Sequence, residues 1–368
     1  MSAALQGQAT PPPKAGDCKK CHGTGRLPCP QHPKAECELE DKVMFCSVVA
    51  DCPVCGGAGF VLCDTCKQEA AMHALETKRE LVKLRRPLLK PIDDRMGRPL
   101  RKVETDHFVF MWDMDKHKIE KRWVDPHEAM HIYSDRMEKM YADYCARLGV
   151  TDKEFQKKCW IFVWGRDDDH QDASVKFCEQ AAKGGVKLMG PEARYSVCGN
   201  KQHFNNDDQL HRNIVHCVSH LLLAHMNPQQ WIGNIKGGWA DEGLAHWWED
   251  RYWGICDNYC YQEQNTNIDF KAGKFRLAVR KMVNDGTAPP IAEVFNQNID
   301  TLTLPMNAAC FSYVDYLMFR DGPKFKELVT KLKTKVPSRD ALQQVYGMTP
   351  MDFEAQWKSW VLATYPTR

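Results

Sequence analysis

Apolar positions change their period along this chain. Over residues 69–86, Ala71, Leu75, Leu81 and Leu84 recur on one side of a predicted helix, and Pro87, Pro91 and Pro99 are expected to break it. After Thr105 the pattern turns to short runs of β-formers at 107–112, 160–164 and 194–198, the last closed by Gly199-Asn200. Between the first two runs, residues 127–148 show helical periodicity through Met130, Tyr133, Met137, Met140, Tyr141 and Tyr144. From Asp208 onward nearly everything reads as helix, ending with 351–362, where Phe353, Trp357, Trp360 and Val361 form an apolar face. Strands first and helices afterwards predict an α+β domain over 105–366.

The N-terminal part is different. Residues 1–15 are polar and Pro-rich, a disordered tail; 16–68 have few large apolar residues; 69–104 form a basic helical linker. Ten Lys or Arg fall in 78–102, but the aromatics needed for base stacking are missing, so this is a solvated linker and no nucleic-acid partner is expected. With 50 basic against 48 acidic residues, no global field attracts nucleic acid or an anionic membrane. No apolar run approaches the ~20 residues of a membrane span, and the start lacks a signal peptide, so the expected location is the cytoplasm. The alternative is that Ser2-Ala3-Ala4-Leu5 is the remnant of a clipped export signal behind an added Met.

Of the 17 cysteines, nine crowd into 18–66 at metal-ligand spacing, which favours metal over disulfides. Cys18-x-x-Cys21-x-Gly23-x-Gly25-x-x-x-Cys29-x-x-His32 recurs, shifted by 34 residues, as Cys52-x-x-Cys55-x-Gly57-x-Gly59-x-x-x-Cys63-x-x-Cys66. Each pair supplies two ligands from a tight knuckle, and the glycines permit the positive φ that turns backbone N–H groups toward sulfur. Eight ligands make two closed, structural zinc sites in a small, β-rich, zinc-ribbon-like module, with the metal supplying much of its folding energy. The repeat resembles the C-x-x-C-x-G-x-G region of J-domain co-chaperones, although only two copies are present, no J domain accompanies them and His32 replaces one cysteine. That resemblance implies interleaved pairing: Cys18, Cys21, Cys63 and Cys66 for one ion, Cys29, His32, Cys52 and Cys55 for the other. Local pairing within each repeat is the alternative. Cys37 and Cys46 are either free or paired with each other, and Cys145, Cys159, Cys178, Cys198, Cys256, Cys260 and Cys310 read as reduced core thiols.

The chemistry concentrates in His216-Cys217-Val218-Ser219-His220 and Trp239-Ala240-Asp241-Glu242-Gly243-Leu244-Ala245. Two histidines four apart share one helix face and can converge on one metal ion, with Glu242 available as third ligand and a fourth position open. The competing reading is two polar residues on an apolar helix with no ion between them. The His-x-x-x-His pair with the downstream W-x-x-E-G-x-A box resembles a gluzincin metallopeptidase domain, the clan of thermolysin and the zinc aminopeptidases. The resemblance implies zinc ligands at His216, His220 and Glu242, a sheet followed by a mostly helical half, and a substrate-pairing sheet edge at 194–198. It covers about 105–365 in motif order and is specific only over 211–246.

One residue departs from that pattern. The zinc-peptidase helix H-E-x-x-H carries its general base at the second position, and Cys217 stands there. Cysteine is two heavy atoms shorter than glutamate; Asp241 is a weak substitute base because it points about 100° from Glu242 on the helix. His246, four residues after Glu242, is either a supporting partner or a proton donor. Tyr313 or Tyr316 could steady an oxyanion, but both are more often core aromatics. No confident catalytic residue and no organic cofactor are expected, only zinc: two structural ions and one in the peptidase-like site. The reading is a degenerate or very weak peptidase that binds peptides or a protein partner. The alternatives are an active metallopeptidase with a non-standard base and a co-chaperone-like scaffold whose zinc module binds unfolded chains.

Overall fold

The computed structural model describes residues 18–32, 42–66, 68–260 and 270–368, in two compact units, 1–106 and 107–368. In the first unit, strands β1 (Arg26–Pro28) and β3 (Phe60–Leu62) pair antiparallel and join the two knuckles, while β2 (Phe45–Cys46) pairs with β4 (Lys102–Glu104). A short helix α1 (Ser47–Ala50) follows β2. Helix α2 runs without interruption from Glu69 to Met96, so Pro87 and Pro91 do not break it. Both prolines are exposed, four residues apart on one face, and the carbonyls that lose their N–H partners can bond to water. The buried stripe Ala71, Leu75, Val82, Leu89, Ile92 and Met96 continues past them, whereas Leu84 is exposed. Gly97, at φ 75°, ends the helix.

The second unit is a mixed α+β body. Its strands β5 (Phe108–Asp113), β8 (Cys159–Trp164), β10 (Arg194–Cys198) and β9 (Gly185–Leu188) lie in that spatial order; β5–β8 and β8–β10 are parallel, β10–β9 antiparallel. A small hairpin, β6 (His117–Ile119) with β7 (Arg122–Val124), stands apart from them. The strand at 194–198 forms where expected but is interior; the edge is β9, which had no clear sequence pattern. β10 is buried on both sides by its neighbours, as its run Tyr195, Ser196, Val197, Cys198 reflects, while β9 alternates only partly.

Helix α3 (Pro126–Leu148) starts at Asp125, whose carboxylate accepts from the Glu128 N–H, and α4 (Asp167–Cys178) follows β8. Helices α5 (Asp207–His225) and α6 (Gly238–Trp253) pack together, and α6 also lies against α9 (Leu304–Lys333). A Cβ on Gly243 would meet the Cys310 carbonyl oxygen at 2.4 Å, so the glycine of the box is what lets α6 approach α9. Trp239 of the same box is fully buried, stacks on Phe295 and donates to Ser338 Oγ. Shorter helices α7 (Phe275–Asn284), α8 (Ile291–Val294) and α10 (Ser338–Tyr346) complete the helical half with α11 (Pro350–Thr364), which a Thr349–Asp352 capping box starts. No described helix is long and apolar enough to cross a membrane.

Candidate metal centre

Several groups of side chains among the described residues lie close enough to hold a metal ion, and three of them contain residues that the sequence singles out as ligands. In the first unit the knuckles interleave: Cys18, Cys21, Cys63 and Cys66 form one buried group, with Cys18 and Cys63 sulfurs 3.8 Å apart and those of Cys21 and Cys66 3.3 Å apart. The β1–β3 pairing accounts for this, because it sets the first knuckle of one repeat beside the second knuckle of the other. Gly25, at φ 73°, turns its N–H onto Cys21 Sγ at 3.3 Å. Burial opposes ionisation of Cys21, but the Cys66 thiol and the Gly25 N–H outweigh it and bring this thiol down to about 6. Its neighbour Cys66 moves the other way, to about 12, because it shares that hydrogen bond with Cys21; the thiolate is the form that binds zinc.

The other group in this unit is Cys29, Cys52 and Cys55, with Cys29 and Cys52 sulfurs 3.7 Å apart. His32 is not part of it; the Cys52 thiol donates instead to Gln31 Oε1 at 3.1 Å. Cys37, the residue that could pair with Cys46, lies outside the described residues.

The third group is built by α5 and α6 in the second unit. One helical turn sets His216 above His220, and their Nε2 atoms are 3.2 Å apart. Glu242, on α6, places Oε2 3.4 Å from His220 Nε2 and Oε1 3.9 Å from His216 Nε2. The fourth member is Cys260, whose sulfur lies 3.0 Å from His220 Nε2 and 3.6 Å from His216 Nε2. A tetrahedral zinc with two nitrogen ligands, one oxygen and one sulfur spaces its donors about 3.3–3.8 Å apart, and these four fall near that range.

The donor chemistry agrees with a cation at the centre. His220 Nδ1 is 2.8 Å from Asp241 Oδ1, and His216 Nδ1 lies 3.1 Å from Glu249 Oε1 without completing a hydrogen bond to it, so both rings turn Nε2 toward the centre. The two Nε2 atoms face each other across 3.2 Å beside a sulfur, and Glu242 Oε2 is buried without a hydrogen-bond donor. Either a proton on His220 Nε2 or a cation at the centre answers those acceptors.

The charges around the group are arranged in layers. Burial alone favours neutral imidazole, and His216 sits below its ordinary value. Burial is outweighed by Asp241 at His220 and by Glu242 at His246, and both rise to about 9. Burial also opposes ionisation of Glu249, yet His216 and His246 hold it down at about 2. His246 bridges Glu242 Oε1 and Glu249 Oε2, each at 3.3 Å, and so supports the ligands. Asp241 is occupied by His220 and by Trp231, whose Nε1 donates to Oδ2 at 2.7 Å.

Two expectations are corrected here. The fourth position is not open, since Cys260 fills it, and Cys260 is therefore not simply a core thiol. Tyr313 and Tyr316 sit in the core, the reading the sequence favoured for both: the Tyr313 hydroxyl donates to the Pro289 carbonyl and that of Tyr316 to Gln356. Glu249 was detectable in principle, because it lies seven residues after Glu242 on the same helix face. Lys187 carried no sequence signal. It projects from edge strand β9, with Nζ 3.5 Å from Cys217 Sγ and 3.3 Å from Cys260 Sγ.

A cleft of about 580 Å³ runs beside this strand, lined among others by Val186, Lys187, Leu188, Trp231, Cys260 and Ile299. No protein-family model matches the chain, and no curated protein matches its sequence.

Proposed function

We propose that the second unit is a gluzincin-like zinc domain that binds an extended peptide or a segment of a protein partner and has little or no peptidase activity. The observation that carries this reading is one buried group with two faces: His216, His220 and Glu242 converge with outer partners Asp241 and Glu249, while the helix position that would hold a general base bears the thiol of Cys217. General-base assistance contributes ~10²–10⁴-fold, and the side chain at 217 is a thiol in contact with Lys187, outside the group formed by His216, His220, Glu242 and Cys260. A zinc in this group would supply Lewis acidity only at a vacated position, and Cys260 stands at that position. The cleft along β9 supports the binding half of the proposal, because no further strand among the described residues pairs on that side of β9. The cysteine groups of the first unit act in this reading as structural zinc sites.

The test is to load the full chain with zinc, count the metal, and screen it against unfolded casein and an immobilised peptide library. The expected outcome is three zinc ions per chain, saturable peptide binding and no product release. Robust, chelator-sensitive proteolysis would instead identify an active peptidase with an unusual base.

A further inference from the structure

Two cysteines stand where the zinc-peptidase pattern has neither: Cys217 at the position of the base and Cys260 at the fourth corner of the metal group. They are not independent of each other. Lys187 Nζ touches both sulfurs, at 3.5 Å and 3.3 Å, so one ammonium holds them in a common environment. Cys217 is fully buried on rigid helix α5, whereas Cys260 is only partly buried, sits in the irregular segment after α6, and lines the cleft together with Lys187. A cleft-facing thiol outside regular secondary structure beside a buried helical one suits a reversible disulfide, because only the loop partner has to move to reach the ~2.05 Å sulfur–sulfur bond.

We propose that Cys217 and Cys260 form a redox-modification site in which disulfide formation withdraws Cys260 from the metal group and opens its fourth position. The ligand of the site is a small two-electron oxidant of the peroxide class, entering by the cleft. The step balances: the metal-held Cys260 thiolate and the Cys217 thiol lose two electrons and join through one S–S bond; the peroxide O–O bond breaks. The Cys217 proton and one proton from solvent complete the two waters that leave. His216, His220 and Glu242 would remain to hold an ion, and a dithiol reductant returns two electrons and restores both thiols. This accounts for both departures from the peptidase pattern at once, since a glutamate at 217 could not exchange with Cys260.

The inference rests on the zinc reading of the 216–260 group, and the experiment separates the two. Zinc is first counted in the reduced full-length protein. Hydrogen peroxide is then added in stoichiometric steps, disulfides are mapped by peptide mass spectrometry, and zinc transfer to a chromophoric chelator is timed in wild type and in Cys217→Ser. The expected result is a Cys217–Cys260 linked peptide and a phase of zinc transfer accelerated at least tenfold, both reversed by dithiothreitol; in Cys217→Ser the linked peptide and that accelerated phase are absent. The variant corrects for oxidation of the N-terminal cysteines, which it retains. Two zinc ions in the reduced protein would overturn the zinc reading of this site. Three zinc ions with no 217–260 linkage, or a linkage that leaves the transfer rate equal to that of Cys217→Ser, would overturn the switch alone.

Discussion

Asp241→Asn tests whether the third group is a metal site tuned by its outer partners. The Asp241 carboxylate is almost fully buried and serves two donors, His220 Nδ1 at 2.8 Å and Trp231 Nε1 at 2.7 Å. An amide of the same shape offers one acceptor in place of two and turns an NH₂ group toward whichever donor it does not serve. It also removes a negative charge one imidazole away from the cation. If the NH₂ faces His220, the ring is driven to the tautomer with its proton on Nε2, and that proton must leave before the metal binds. An unpaired buried donor costs ~1–3 kcal/mol, and loss of a carboxylate behind a ligating histidine typically weakens metal binding ~10–100-fold, about 1.4–2.8 kcal/mol. The two routes agree in size. The assay is competition against a graded series of zinc chelators with the full chain, following the ion removed from the 216–260 group against the ions of the cysteine knuckles. The expected result is a ~10–100-fold fall in affinity confined to that ion. An Asp241→Asn protein that holds all its zinc as tightly as the parent would refute the reasoning.

Two further outcomes are expected elsewhere. Cys21→Ser or Cys55→Ser should make residues 18–66 protease-sensitive and lower the zinc count while leaving the helical signal of the second unit intact, because zinc binding and folding are one process in the knuckle module; an unchanged digestion pattern would show that these cysteines are not structural ligands. At the start of α5, burial opposes ionisation of Asp207, but His117, Arg136 and Tyr133 outweigh it and hold the carboxyl well below its usual range. Its folded-state value is therefore lower than its unfolded one. The stabilisation is present above the unfolded value near 4 and is lost as the pH falls toward the folded one. Urea melts at pH 7 should show Asp207→Asn less stable than the parent by about 2 kcal/mol, with the gap narrowing below pH 4; a gap that does not depend on pH would contradict the linkage.

What the sequence determined by itself is what short-range periodicity encodes. The 34-residue offset places ligand pairs in knuckles, four-residue spacing stacks His216 on His220, and the glycines mark backbone positions with positive φ, because knuckles and helix faces depend only on neighbours along the chain. The sheet-then-helix order of the second unit was legible for the same reason. Tertiary structure alone decided which knuckles come together, since the β1–β3 pairing, not the spacing, sets first against second repeat. It left His32 out of the second cysteine group, carried α2 through two exposed prolines because the buried stripe continues on the other face, and made β9 rather than 194–198 the sheet edge. Cys260 shows the reason most plainly: its role comes from a loop that returns 40 residues later to His220, and contacts closed across such a distance leave no periodic trace in the sequence.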